Sequence, residues 1–340
     1  MTTELRALHP GNFAAVMATG ILSIGWGGLG QAALADALAW LALLGWLLLL
    51  ALSAGRLLRH ADAVRIDLLN PRMVFSFFTL VAATSIVGLL LHARGHPHLA
   101  LGCWVLAFVA WCALLYLAFA VLTFLTHENN VNIVHGGWLI AIVGTQSLVV
   151  LGGRIAGDLG ALTQAMLFEI HLLWGLGLAW YGIFITLFCY RIFFLALKPQ
   201  DLSPLLWVVM GAAAISTTAG TTLLSTAGGL PFLVAQRPFI EGVTLMLWAW
   251  ATWWLPLLVM FFIWKHAVRR EALRYEPVLW SFVFPLGMYA VASARLGLAA
   301  GFAPLGWAAQ AMVGVASLAW LGVGYGLLRQ VLRLRPAAGS

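Results

Sequence analysis

Long apolar stretches, each about as long as a membrane-spanning helix, follow one another along nearly the whole chain. A helix needs about 20 apolar residues to cross a hydrocarbon core of roughly 30 Å. The pattern predicts an all-α integral membrane protein in which residues 1–340 form a single transmembrane domain. We place ten spans, at approximately 12–29, 35–58, 73–92, 99–125, 132–152, 165–196, 204–226, 239–264, 277–298 and 305–331.

The composition excludes a soluble domain. Hydrophobic residues make up 63% of the 340 residues, and charged residues only 9%, against about 25% charged residues in soluble domains. The net charge of +7 does not indicate a nucleic-acid-binding protein, because the basic residues lie in short loops between the apolar stretches and form no basic patch with interleaved aromatic residues.

The distribution of lysine and arginine predicts the orientation in the membrane. With ten spans, 14 of the 18 basic residues fall on the side that carries both termini. Basic loops stay in the cytoplasm, so the pattern predicts a multi-pass protein of the cell membrane with both termini cytoplasmic. The run Phe13–Leu29 followed by Ala33-Leu34-Ala35 also resembles a secretory signal and its cleavage site, but the charge balance requires that this run stay in place.

Odd-numbered spans are more polar than even-numbered spans. Their interiors hold 21 Ser, Thr, Asn, Gln, His, Asp or Glu residues against 10 in the even spans. Five helical hairpins would then form two rings, with the polar odd helices inside around a central pore and the Leu- and Trp-rich even helices facing lipid. The alternative is that the small polar residues serve only helix packing.

Polar and glycine positions in the odd spans are the candidates for lining a pore. The run from Thr217 to Thr222 is the most polar stretch at membrane depth. Its hydroxyls would replace part of an ion's water shell, or they would bond back to carbonyls of their own helix. The full set of pore-lining candidates is Thr19, Gly20, Ser76, Thr79, Gly88, His135, Gly144, Thr217, Thr218, Gly220, Thr221 and Ser281.

Several ionisable residues near span ends have two interpretations. His135 is either a pH-sensitive or anion-contacting group at the inner mouth or a structural histidine. Arg72 and Arg295 either attract anions or anchor helix ends at the interface. Glu169 and Glu241 are read mainly as interfacial or packing residues.

The odd spans contain no Asp, Glu, Lys or Arg in their interiors. A proton- or sodium-coupled carrier needs such a carboxylate at mid-membrane, whereas a passive anion path needs donors, helix dipoles and a positive mouth. No nucleotide-binding, zinc-protease or nucleophile-elbow motif is present, and the three cysteines lie unpaired in apolar stretches. We therefore expect no enzyme, no cofactor and no metal.

Two segments resemble a known family. Residues 9–21, from His9 to Ile21, are similar to the opening of the tellurite-resistance/C4-dicarboxylate transporter family, although Ala18 replaces a glycine. Residues 280–285 (Trp-Ser-Phe-Val-Phe-Pro) resemble its ninth-helix motif, with Val283 in place of serine. The family includes bacterial tellurite-resistance proteins, yeast malate and sulfite permeases and the slow anion channels of plant guard cells.

The resemblance implies a pore gate at Phe284 and Pro285, a homotrimer with one pore in each subunit, and small anions as the transported species. Two functions then remain open. One is an anion channel or facilitator for small inorganic anions and possible C4-dicarboxylates, gated by Phe284. The other is a secondary carrier that exports one anion, such as malate, sulfite or a tellurite-type oxyanion.

Overall fold

The computed structural model describes residues 2–125, 134–196, 198, 201–226 and 230–334, and this part of the chain is helical without strands. Residues 132 and 133, which the sequence assigns to the fifth span, lie outside the described residues. The α-helices are α1 (Thr2–Arg6), α2 (Ala14–Gly28), α3 (Ala32–Arg59), α4 (Ala61–Leu68), α5 (Phe78–His92), α6 (Pro97–Ala120), α7 (Ile140–Ile155), α8 (Thr163–Phe194), α9 (Val208–Ser225), α10 (Pro231–Ala235), α11 (Arg237–Ile263), α12 (Trp280–Ala300) and α13 (Pro304–Leu334).

Five helices, α2, α5, α7, α9 and α12, begin in the same way, with a 3-10 turn that continues into the α-helix. The turns are Pro10–Phe13, Val74–Phe77, Gly136–Leu139, Pro204–Trp207 and Pro277–Leu279. Proline opens three of them, where its fixed φ suits a first helical position and its missing N–H costs nothing.

The five 3-10 turns touch one another in a closed sequence, and so do the helices that follow them. We call α2, α5, α7, α9 and α12 the ring helices, which run parallel. We call the end where they begin the N-terminal mouth and the other end the C-terminal mouth.

The remaining long helices, α3, α6, α8, α11 and α13, each pack against the ring helix that precedes them in the chain. Burial separates the two groups. In four of the ring segments, 72% to 89% of the most apolar window is buried, against 17% to 39% in the outer helices. The polar ring helices thus lie inside, and the outer helices present Leu, Phe and Trp outward, which suits contact with lipid.

Tryptophan hydrogen bonds fasten the outer helices to the ring. Each outer helix donates an indole N–H to the ring helix that follows its own hairpin, and α13 donates to α2. The pairs are Trp46 with Thr84, Trp111 with Thr145, Trp174 with the Ser216 carbonyl, Trp248 with Ser293, and Trp320 with Thr19. Buried indole N–H groups need such partners, so these bonds account for part of the polarity of the odd spans.

Nine helical segments of the described residues are long and apolar enough to cross a membrane, and the predicted first span, 12–29, is not among them. Its helix, α2, has 15 residues, as many as α5, so length is not the reason. With its 3-10 turn, the segment includes Asn12 and five glycines, which lower its mean hydropathy. The coarse prediction of a multi-span helical protein is confirmed, and the ten-crossing arrangement stays a prediction. The apolar pattern also did not predict the short helices α4 and α10.

Candidate functional site

A narrow cavity lies on the axis of the ring, and all five ring helices contribute to its wall. Its volume is ≈ 20 Å³, room for about one water molecule. The lining residues are Ile21, Ile24, Ile86, Leu89, Ser147, Val150, Ile215, Thr218, Met288, Val291 and Arg295.

The lining residues follow a fivefold register. Each ring helix supplies two residues three positions apart, such as Ile21 and Ile24 of α2 or Met288 and Val291 of α12. In four helices the first of the pair stands 11 residues after the first residue of the 3-10 turn. Residues three or four apart share a helix face, so the same register identifies the layers above and below the cavity.

The layer on the N-terminal side of the cavity contains Phe284, four residues before Met288. By the same count its other members are glycine or aliphatic side chains smaller than phenylalanine, and all are buried: Met17, Ala82, Val143 and Gly211. Phe284 is 2% exposed. A Cβ on Gly211 would lie 2.9 Å from Cγ of Pro285, so α9 passes very close to α12 here. The ring is thus filled at the level where the cavity ends.

The layer at the C-terminal mouth contains Arg154 and Arg295, which stand seven residues beyond Ser147 and Met288 of the first cavity layer. The Nη1 atom of Arg295 donates to Oγ1 of Thr222, which falls in the same layer, over 3.4 Å. The sequence singled out Arg295 as one of two possible anion-attracting arginines. It did not single out Arg154, which stands as far from the first residue of its 3-10 turn, Gly136, as Arg295 stands from Pro277; this equal spacing is the signal that identifies it.

The hydroxyl groups of the cavity are committed to their own helices. Ser147 donates to the Val143 carbonyl over 2.7 Å, and Thr218 donates to the Ala214 carbonyl over 3.2 Å. Thr217, Thr221 and Thr222 also donate to carbonyls of α9. Of the two alternatives for the Thr217–Thr222 run, the structure shows back-bonding to the helix.

Other predicted lining residues lie at helix contacts. Thr19 accepts from Trp320 of α13. Gly20 faces Ile86, Gly144 faces Phe78 of α5, and Gly220 faces Thr244 of α11. Gly88 faces Leu151 and Cys103.

At the N-terminal mouth, Ser76 and Thr79 are buried near the first 3-10 turn, and the Thr79 hydroxyl donates to the Pro10 or Ser76 carbonyl. Ser281 lies on the same face of α12 as Phe284, one turn closer to this mouth, and is 7% exposed. The register therefore places Thr79 and Ser281 in one layer, and their pore-lining role stays a prediction.

His135 caps the third 3-10 turn. Its Nδ1 atom accepts the N–H of Gly137 over 3.1 Å, as Nδ1 of His9 accepts the N–H of Gly11 over 2.9 Å in the first turn. The pKa of His135 is lowered from 6.5 to about 4, chiefly by burial. A hydrogen bond with the Arg72 backbone opposes this shift, and the positive charges of Arg191 and Arg72 add to it. His135 is thus a neutral capping group at pH 7.

We expect the stability of the protein to fall as the pH drops from 6.5 toward 4, because unfolding lets His135 take up a proton that the folded state refuses. Above pH 6.5 this contribution is fully present. His135→Asn keeps a capping acceptor without titrating. Melting curves in detergent should show a smaller loss of Tm, by several degrees, for the variant over this range. Parallel pH profiles of the two proteins would contradict the role given to His135.

A second cavity, ≈ 920 Å³, lies away from the ring axis, between the end of α11, the segment 269–276 and α13. Its wall combines apolar residues such as Phe262 with charged ones such as Lys265. Among the described residues, no group of three or more His, Cys, Asp or Glu side chains comes together in a way that could hold a metal ion.

Several known proteins are similar to this chain in sequence. A Mycobacterium tuberculosis protein named an uncharacterized membrane protein is 46% identical over 110 residues, which is 32% of this chain and 55% of the relative. Two Methanocaldococcus jannaschii proteins named uncharacterized transporters are 25% identical over 174 residues, 51% of this chain and 49% and 48% of theirs. The chain thus spans about half the length of these relatives.

A sequence model of the voltage-dependent anion channel family, SLAC1, matches residues 7–328. The match covers every ring helix and the cavity between them, and it agrees with the family resemblance of residues 9–21 and 280–285. The chain belongs to the voltage-dependent anion channel family.

Proposed function

We propose that the protein is an anion channel or facilitator whose pathway is the axis of the ring, with ten membrane crossings and both termini in the cytoplasm. The observation that carries the proposal is the closed ring of five parallel helices with a cavity on its axis, lined by all five. Membership of an anion channel family supports the same pathway.

The helix dipoles favour anions. All five ring helices begin at the N-terminal mouth, and each helix N-terminus carries about half a positive charge from its unpaired N–H groups. Two of these termini are capped by histidine Nδ1 atoms, and the other three have no side-chain cap. In the predicted orientation this mouth faces the cytoplasm, so it would concentrate cytoplasmic anions.

The closed layer at Phe284 would act as the gate. Its neighbours in the layer are Met17, Ala82, Val143 and Gly211, so a single aromatic ring fills the space that the smaller residues of the other four helices leave open. Pro285 removes one N–H from the helix and leaves the Ser281 carbonyl without its usual partner, which gives α12 a point where the ring of Phe284 can change position. Apolar constrictions of this kind gate by excluding water.

A coupled carrier is the second candidate, since the relatives in Methanocaldococcus jannaschii are named transporters and the axis is closed on one side of the cavity. No Asp or Glu lines the cavity in the described residues, and proton or sodium coupling normally uses one. This favours passive conduction of chloride or nitrate, with C4-dicarboxylates as larger substrates, and a homotrimer of independent pores as the assembly.

The test is a comparison of currents and fluxes. Purified protein in planar bilayers is expected to pass anion-selective current in chloride and nitrate, with a smaller current in malate. Flux of malate or sulfite across liposome membranes tests the carrier hypothesis. Saturable uptake that requires a counter-anion, together with silent bilayers for the wild type and for the gate variant described in the Discussion, would reject the channel in favour of the carrier.

A further inference from the structure

Arg295 is the one charged residue in the wall of the axial cavity within the part of the chain that the structure describes. It belongs to α12, inside the apolar segment Pro277–Ala300, and its side chain is half-buried. It stands on the same face of α12 as Phe284, 11 residues further on, or about 16 Å along the axis. A charge in the wall of an otherwise apolar cavity within a membrane domain is costly and indicates a functional role.

No carboxylate neutralises Arg295 among the described residues. Three acidic side chains near this mouth are paired with other residues, and Glu169 of α8 forms no ion pair with Arg295 in the described residues. Asp36 bonds to Arg94, Asp158 bonds to His92, and Glu241 bonds to Arg237. The described polar contact of the Arg295 guanidinium is the hydroxyl of Thr222, at 3.4 Å.

Arg295 is also the source of free hydrogen-bond donors at the cavity. The hydroxyls of Ser147 and Thr218 donate to carbonyls of their own helices, and the other lining side chains of the described residues are apolar. Thr222 donates to the Thr218 carbonyl over 2.8 Å, so toward Arg295 it acts as an acceptor. A guanidinium carries five N–H donors, and this single contact leaves the others for a ligand.

A second positive charge lies nearby. Gly153 of α7 packs directly against Thr222, which brings the neighbouring residue, Arg154, to the same layer as Arg295. Arg154 is exposed and has no ion-pair partner among the described residues. The two arginines therefore offset the negative ends of the ring-helix dipoles at the C-terminal mouth, and their charge acts over about a Debye length, ~10 Å at 0.1 M salt.

We infer that the Arg295 guanidinium, beside Thr222 and within the field of Arg154, forms a binding site for a small monovalent anion at the inner edge of the C-terminal mouth. This inference rests on the proposed function. It adds a selectivity site separate from the constriction at Phe284. An anion arriving from the C-terminal mouth exchanges part of its water shell for guanidinium N–H groups and then faces the apolar layers of Val291 and Met288.

The experiment compares currents in the Phe284→Ala background. Adding Arg295→Gln is expected to lower chloride conductance about tenfold at low salt and much less at high salt, because a site that concentrates anions matters most in dilute solution. The reversal potential in a KCl gradient is expected to shift toward zero, since selectivity for chloride over potassium falls. Arg295→Lys keeps the charge and is expected to keep most of both properties.

Arg237→Gln is the matched control, because Arg237 lies toward the same mouth but is exposed and paired with Glu241. It is expected to leave conductance and reversal potential unchanged. The inference is overturned if Arg295→Gln matches the Phe284→Ala background in both measurements, or if Arg237→Gln has the same effect as Arg295→Gln.

A binding measurement on protein with Phe284 intact separates this inference from the proposed function. An anion that binds the folded state raises Tm, so nitrate in place of a bulky organic anion is expected to stabilise the wild type and Arg237→Gln but not Arg295→Gln. If Phe284→Ala carries no current, the proposed function fails while this comparison still decides the site. Equal nitrate stabilisation of all three proteins, or of none, rejects it.

Discussion

Phe284→Ala is expected to raise anion conductance at least about tenfold. The benzyl group fills the one closed layer next to the axial cavity, and its other members, Ala82, Val143, Gly211 and Met17, do not replace it. Each ~1.4 kcal/mol removed from the barrier multiplies the passage rate by about ten. Opening an apolar constriction to water removes at least that much when the ion no longer has to shed its hydration shell. Bilayer recordings in chloride and nitrate measure the change.

Phe282→Ala is the matched control for Phe284→Ala. Phe282 lies on the same helix two residues away, and its ring packs edge-on against Trp207 at 4.6 Å, away from the cavity. It is expected to leave conductance near the wild-type level. Truncation of a buried phenylalanine costs about 3–5 kcal/mol, so a purely structural Phe284 would lose Tm on substitution without gaining current. That pair of results would remove Phe284 from the gate.

The sequence predicted the class of the fold because membrane insertion constrains every residue of a span. Stretches such as 73–92 and 204–226 are apolar enough to be recognised one by one, and the structure contains helices at both places. The family was recognised from residues 9–21 and 280–285, and that recognition is confirmed by the match over residues 7–328. Segment α2 was harder, because its glycines make it a weak span when considered alone.

The faces of the helices were much harder to predict than their existence. Thr19, Thr84 and Thr145 hold equivalent places in three ring helices, each two residues before a cavity residue, yet they bond to tryptophans of outer helices. A polar residue in a ring helix can serve the axis or the outer contact, and a composition count does not distinguish the two. The cavity wall itself is mostly Ile, Leu, Val and Met, residues that polarity alone does not select.

The register from the 3-10 turns resolves this ambiguity. Counting from Pro10, Gly136, Pro204 and Pro277 gives the cavity residues of four helices at one spacing. The same count aligns Arg154 with Arg295 although they lie on different helices. These relations depend on how five helix starts meet in space, so they follow from the closed ring of turns and not from the pattern of any single segment.

Gly136→Ala tests whether that ring of turns holds the structure together. A Cβ at Gly136 would meet the backbone of the neighbouring turn, 2.8 Å from the carbonyl carbon of Leu205 and 3.2 Å from Cα of Leu206. Backbone atoms cannot rotate away as a side chain does, so the two turns must separate. Forced overpacking of this kind costs about 1–3 kcal/mol, and we expect Tm in detergent to fall by several degrees.

Gly175→Ala in the outer helix α8 is the matched control, because a Cβ there meets nothing within 4 Å. Alanine favours a helix over glycine by about 1 kcal/mol, so its Tm is expected to stay or to rise. If the two variants have the same Tm, the contact between the turns at Gly136 and Leu205 does not limit stability. If only Gly136→Ala lowers Tm, the ring of 3-10 turns stabilises the fold. The positions of the layers counted from those turns are then fixed by contacts between the turns.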